Sequence, residues 1–275
     1  MLLSQAILPV AGYGTRFLPW TKVVPKELLP IGRKPIIALL VDEAMSVGIR
    51  DLCFVISKGK EKIPEFFQTD TALEKVLADR GKSHLLEELT RYHEVKFTTV
   101  YQDEMRGDGH AILQAKDWVT SEHLAIIFGD EIIAGEKTGL QELVGAMSTI
   151  KENNAGMLCL HSVPRDSVSK YGIVDIRTDD AEERIHRIQG LVEKPKPEDA
   201  PSTFAIVGKY IVPKSTIATL EDVEGTHNDG EIRLIDALKW QLEHKELALF
   251  GCEVQGQRFD TGHPEGYREA VKALG

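Results

Sequence analysis

Gly12, Gly14, Thr15, Arg16 and Lys26 carry the types and spacing best suited to chemistry in this chain. They follow an apolar run, Ile7-Leu8-Pro9-Val10-Ala11, that reads as a strand. Glycines let a backbone bend sharply and bring its N–H groups against phosphate oxygens. Arg16 adds a planar fork of donors and Lys26 a mobile point charge. Together they describe a site for a polyphosphate, most simply a nucleoside triphosphate. Two better-known phosphate loops do not fit. The third glycine of a dinucleotide fingerprint is replaced by Phe17, and no Gly-Lys-Ser/Thr stands behind a glycine and four spacers.

Carboxylates complete the chemistry. Asp130 follows Gly129 at the end of the apolar run Leu124–Phe128, and Asp260 stands in Phe259-Asp260-Thr261-Gly262. A carboxylate at a strand's carboxyl end, beside a phosphate loop, is a natural Mg²⁺ ligand, although turn formation is the commoner role of a single Asp.

The elements that must position these residues alternate between strand and helix. Strands are expected at Ala6–Val10, Leu52–Ile56, Lys96–Tyr101 and Leu124–Phe128. Helical patterns cover Ile36–Met45, Lys62–Phe67, Thr71–Arg80, Ser83–Tyr92 and His110–Trp118. This alternation predicts an α/β fold with a doubly wound sheet, whose ligands lie beyond the strand carboxyl ends. The unusual residues occupy those loops. Beyond Met157 strands dominate: Met157–Ser162, Ile173–Arg177, Ile185–Glu193 and Phe204–Val212. Glu193–Ser202 reads as a loop, and helices return at Ser215–Leu220, Ile232–His244 and Glu265–Leu274. One continuous catalytic domain over 1–275 is expected, with a nucleotide half to about residue 150 and a second half from about 151.

The segment from Pro9 to Ile31, with Gly12-Tyr-Gly-Thr-Arg-Phe-Leu-Pro19 and Pro25-Lys-Glu-Leu-Leu-Pro30, closely resembles the signature of bacterial UTP–glucose-1-phosphate uridylyltransferases. Further landmarks follow in the same order: Gly107-Asp-Gly-His-Ala111, Gly129-Asp130, Tyr171-Gly172, Glu193-Lys-Pro195, Gly230-Glu-Ile232 and Asp260-Thr-Gly262. The resemblance implies a Rossmann-like mixed sheet of the nucleotide-diphospho-sugar transferase type. It implies UTP and glucose 1-phosphate as substrates, Mg²⁺ as cofactor, and assembly as a homodimer or homotetramer.

It also implies roles, residue by residue. Arg16 and Lys26 contact the triphosphate, with Lys22 as a further family lysine. Ala11, Gly12, Gly14 and Thr15 meet the nucleotide, and Glu27 helps hold the base. Gln102 and Gly107 read the pyrimidine edge, for which an amide that donates and accepts is suited. Asp130 and Asp260 hold the metal. Gly172, Glu193, Lys194 and Val207 form the sugar site, with Lys194 on the sugar phosphate. Glu231 reaches the sugar or serves as a helix N-terminal carboxylate. Asp108 and Glu131 depart from the family pattern, which favours apolar residues at both positions. A glucose-1-phosphate thymidylyltransferase and a noncatalytic nucleotide-binding regulator are the alternatives.

Composition narrows the classes further. A net charge of −10 argues against nonspecific nucleic-acid binding and requires local cations to receive an anionic substrate. Cys53, Cys159 and Cys252 fit neither a metal site nor a disulfide framework, and the first two are expected as buried thiols. With no leader and no membrane-length apolar run, a cytoplasmic protein is expected.

Overall fold

The computed structural model describes residues 3–176, 184–224 and 230–275. The first strand, β1 (Gln5–Pro9), is followed by a short hairpin of β2 (Pro30–Ile31) and β3 (Lys34–Pro35). Next come β4 (Asp51–Ile56), β5 (Lys96–Tyr101), β6 (His123–Ile127) and β7 (Glu131–Ala134). The second half contains β8 (Ala155–Ser162), β9 (Gly172–Ile176), β10 (Ile185–Glu193), β11 (Phe204–Pro213), β12 (Ala248–Glu253) and β13 (Gln257–Asp260). The expected strand Ile173–Arg177 is thus found as far as Ile176; Arg177 lies outside the described residues.

Nine of these strands form one sheet in the order β5-β4-β1-β6-β11-β8-β12-β10-β9. Neighbours among β5, β4, β1 and β6 are parallel. β11 then runs antiparallel to both β6 and β8, which makes the sheet mixed. It extends without a break from the N-terminal half to the C-terminal one.

Alternation along each strand feeds two cores. Leu8, Leu52, Phe54 and Ile56 face one side, where Ile37, Leu40 and Leu143 cover them. Ile7, Cys53 and Val55 face the other, against Ile112, Leu220 and Leu238. The period of two places successive side chains on opposite faces, so both faces need helices. The helices Ile36–Ser46 and Gly139–Met147 supply one layer; Asp108–Leu113, Lys214–Asp222 and Leu234–Glu243 supply the other.

Several boundaries differ from expectation. The helix expected at His110–Trp118 begins at Asp108 and ends at Leu113, with a separate 3-10 turn at Lys116–Trp118. Ser83–Tyr92 resolves into a 3-10 turn and the short helix Leu86–Thr90. The helix Gly139–Met147 was not expected; its two glycines weaken the helical signal, while a Thr138/Gln141 capping box fixes its start. β7, β12 and β13 were also unforeseen. All three cysteines are buried and free. Among the described residues no helix is long and apolar enough to cross a membrane.

Candidate active site

Strand β1 delivers its loop to one rim of a cleft of about 380 Å³. Ala11, Gly12, Gly14 and Thr15 line one side, and Gln102 and Gly107 another. A Cβ on Gly12 would meet nothing within 4 Å, so packing does not require this glycine and its bare backbone faces open space. Gly14 is different: its φ of 63° lies in the left-handed region, and the Thr21 hydroxyl donates to its carbonyl at 2.8 Å. Arg16 and Lys22 are exposed on the same loop.

Lys26 reaches across to Asp130, with Nζ 2.5 Å from Oδ2. Burial works against the Lys26 charge, but Asp130 and Glu27 outweigh it and hold the amine above its ordinary value. Burial likewise opposes the Asp130 charge, yet Lys26 and then Arg16 pull that carboxyl below its ordinary value. Both groups therefore stay charged at neutral pH.

Asp260 arrives beside Asp130 through an element the sequence did not reveal. The two-stranded sheet β13–β7 pairs Asp260 with Glu131. Thr261 then donates from its N–H and its hydroxyl to the Asp130 carbonyl, at 2.7 and 2.9 Å. A Cβ on Gly262 would stand 2.8 Å from Asp130 Oδ2 and 3.0 Å from Asp260 Oδ1. Two carboxylate oxygens thus border one small space that only glycine leaves open. Such an all-oxygen pair suits a hard divalent cation. Among the described residues no group of three or more acidic, His or Cys side chains could hold a metal, so further ligands would have to come from substrate or water.

Glu131 is explained by Arg258. The guanidinium holds both Glu131 oxygens, at 2.5 and 2.8 Å, and donates to the Tyr171 hydroxyl at 3.1 Å. It also stacks on the Tyr171 ring, 4.8 Å from the centroid. Burial works against the Arg258 charge, but Glu131 outweighs it and holds the pKa above its ordinary value.

The loop after β5 is set by close backbone contact. Gly107 has a φ of 94°, and a Cβ there would lie 2.5 Å from the Ile232 carbonyl oxygen. Gly109 donates its N–H to that same oxygen, and Ile232 donates to the Arg106 carbonyl. Gln102 is buried, and its amide nitrogen lies 3.0 Å from the Gly107 oxygen and 3.1 Å from His110 Nδ1.

A recess of about 70 Å³ lies beside the cleft, lined by Asp108, Gly172, Glu193, Ile206, Tyr210 and Arg233 among others. β9 and β10 place Gly172 opposite Glu193. Lys194 Nζ is 2.9 Å from Glu193 Oε1. Its backbone takes a φ of 46°, unusual for a non-glycine residue, and its N–H donates to the Tyr171 carbonyl at 3.0 Å.

Two expected site residues sit elsewhere. Val207 is fully buried in the core, on the opposite side of β11 from the recess; its neighbour Ile206 lines the recess instead. An offset of one residue along a strand reverses the face. Glu27 is 1% exposed, with both oxygens held by Lys60 Nζ at 2.9 and 3.0 Å, which leaves it buried beneath the loop and not on the cleft wall. Lys60 also donates to the Val10 carbonyl at 2.6 Å. Burial pulls the Lys60 amine below its ordinary value, against the opposing pull of Glu27. Lys60, Arg258 and Thr261 were missed because only the tertiary fold brings them here. The unexpected charge of Glu131 was the one signal that called for a partner.

The nucleotidyl transferase family model matches residues 5–275. The chain is 35% identical to the UTP–glucose-1-phosphate uridylyltransferase of Komagataeibacter xylinus over 262 residues, 94% of this chain and 89% of that protein. It is 34% identical to the protein of the same name from Pseudomonas aeruginosa over 273 residues, covering 98% and 95%. A UDP-glucose pyrophosphorylase complexed with UDP-glucose superposes with a TM-score of 0.84 at 32% identity, covering 98% of each chain. A UTP-bound UGPase from Acinetobacter baumannii superposes at 0.88 and 32% identity, covering 99% and 93%.

Proposed function

Since the chain belongs to the nucleotidyl transferase family, we propose that its cleft and recess join UTP to glucose 1-phosphate, giving UDP-glucose and pyrophosphate. The observation that carries this reading is the contiguity of the two cavities. Asp108 is a wall of both the glycine-loop cleft and the Gly172–Glu193 recess, so two substrates can be seated in contact. The relatives named for this reaction, and the structures holding UTP or UDP-glucose, supply the substrates.

A sugar phosphate is already largely a dianion at neutral pH. Its oxygen forms a bond to the α-phosphorus of UTP as the bond to the bridging oxygen of pyrophosphate breaks. No general base is needed. The obstacle is bringing two polyanions together, and fixed positive charge lowers it. Arg16 and Lys26 lie on the nucleotide loop and neutralise the triphosphate. Lys194, paired with Glu193 of the recess, neutralises the sugar phosphate. The bare backbone of Gly12 lets the nucleotide approach closely, and the Gln102 amide faces the base. Asp130 and Asp260 fit a divalent cation, Mg²⁺ by their all-oxygen character. When bound it would supply positive charge to the phosphate oxygens.

The test is pyrophosphate release by the purified protein with Mg²⁺ and glucose 1-phosphate, with UTP and dTTP offered separately. Strong preference for UTP, abolished by EDTA, is expected. Preference for dTTP would reassign the nucleotide, and activity unaffected by EDTA would remove the metal from the reading.

A further inference from the structure

Asp108 stands where two features meet. Of the described residues lining the nucleotide cleft, it alone also lines the hexose recess. Its position there is rigid. Oδ1 accepts from the Gly109 N–H at 2.7 Å and from the Leu234 N–H at 3.1 Å, which ties the carboxylate to the start of the helix Leu234–Glu243. Among the described residues, Oδ2 has no hydrogen-bond donor.

The charges around it are unevenly balanced. Glu193 is paired with Lys194 at 2.9 Å, and Arg233 is paired with Glu231 at the same distance. Asp108 has no cationic partner among the described residues. Burial pushes its pKa up to about 6, against the two backbone N–H groups, while Glu193 and Asp236 add to the rise. It is therefore mostly ionised at neutral pH, and among the described lining residues it is the one carboxylate that no cation matches. A carboxylate so placed accepts hydrogen bonds from hydroxyl groups and repels another carboxylate.

We propose that Asp108 is a specificity-determining residue of the hexose recess, favouring a neutral hexose 1-phosphate with hydroxyl donors and rejecting one that carries a carboxylate. This rests on the uridylyl-transfer reading and states which sugars that site accepts. The discrimination works partly by repulsion, which is how closely similar ligands are commonly told apart.

The experiment compares kcat/KM for glucose 1-phosphate and glucuronic acid 1-phosphate, each with UTP, in the wild type and in Asp108→Asn. Asn keeps an oxygen for the Gly109 and Leu234 N–H groups but carries no charge. The wild type is expected to prefer glucose strongly, and the variant to lose about tenfold or more of that preference. Wild-type preference should also rise as pH increases through about 6, where Asp108 ionises. The sugar phosphate titrates nearby but does so in both substrates, so it cancels in the ratio. Glu193, Tyr210, Glu231, Arg233 and Asp236 surround Asp108, and His110 shares its helix; only a step absent from Asp108→Asn belongs to Asp108.

An unchanged ratio in a variant that still turns over glucose 1-phosphate would overturn the proposal and leave the uridylyl reading intact. A wild type that uses glucuronic acid 1-phosphate as efficiently as glucose 1-phosphate would also overturn it, and needs no variant to fold. Failure of the wild type to use glucose 1-phosphate at all would overturn the underlying reading and this proposal with it.

Discussion

Lys26 and Asp130 keep each other ionised, and their contact at 2.5 Å sits where the nucleotide loop meets the carboxylate pair. In the proposed mechanism, removing the amine by Lys26→Ala takes a fixed positive charge from the triphosphate, and it leaves Asp130 without its nearest counter-charge. We expect kcat/KM for UTP to fall about a hundredfold or more, with circular dichroism unchanged. A folded Lys26→Ala enzyme of wild-type efficiency would remove Lys26 from the mechanism. The glycines make contrasting predictions. Gly12→Ala adds a methyl group to open space, so stability should hold within about 0.5 kcal/mol while UTP binding weakens. Gly107→Ala drives a Cβ against the Ile232 carbonyl at a positive φ. Its expected cost is about 1–3 kcal/mol of stability. Urea unfolding together with UTP titration distinguishes the two; equal stability losses would contradict the assignment.

At the scale of elements, the small sheet of β7 and β13 determines whether Asp260 reaches Asp130. Arg258 fastens it, with Glu131 on β7 at one end and Tyr171 ahead of β9 at the other. Both Glu131 and Arg258 are nearly buried, so Arg258→Met would strand a carboxylate away from water. A loss of about 3–5 kcal/mol is expected in urea unfolding, as for other broken buried pairs. The Mg²⁺ concentration needed for half-maximal rate should rise in the same variant, because Asp260 is no longer held. Replacing both partners, as Glu131→Leu with Arg258→Met, should recover part of the stability. If the single variant unfolds like wild type, the pair is not what fastens this sheet.

Across the whole molecule, one sheet joins the parallel N-terminal strands to the antiparallel C-terminal ones through β11, which pairs with β6 on one side and β8 on the other. Neither half can unfold without exposing a strand edge of the other, and loss of the C-terminal half would also uncover the face that the helices Lys214–Asp222 and Leu234–Glu243 cover. Equilibrium unfolding should therefore be a single transition, coincident by tryptophan fluorescence and far-ultraviolet circular dichroism. Two separated transitions would show that the halves are independent domains. Saturating UTP should raise the midpoint without splitting it, since ligand bound only to the native state stabilises by mass action, by about 2.7 kcal/mol at a hundred times Kd.

Much of this was determined by sequence alone. Local periodicity is a property of neighbouring residues, and it located β5 and β10 at the bounds observed, and β1, β4 and β6 to within a residue or so. The glycines and cations after the first strand likewise singled out the nucleotide loop as a candidate, and the resemblance carried by the ordered motifs did the same for Gln102, Asp130 and the Glu193-Lys194 pair. What tertiary structure decided was contact between residues distant in sequence. Lys60 beneath Glu27, Arg258 on Glu131, and Thr261 on the Asp130 carbonyl have no local signature, because each depends on how separate strands are brought together. The face of β11 was also decided there. Its pairing with β8 shifts register between Ile206 and Tyr210, where Gly208 adopts a φ of 56°, and sequence periodicity cannot show whether Ile206 or Val207 faces the recess. The reason is physical: propensity and pattern act over a few residues, whereas the placement of a buried charge depends on the partners that offset its desolvation, and those come from anywhere in the chain.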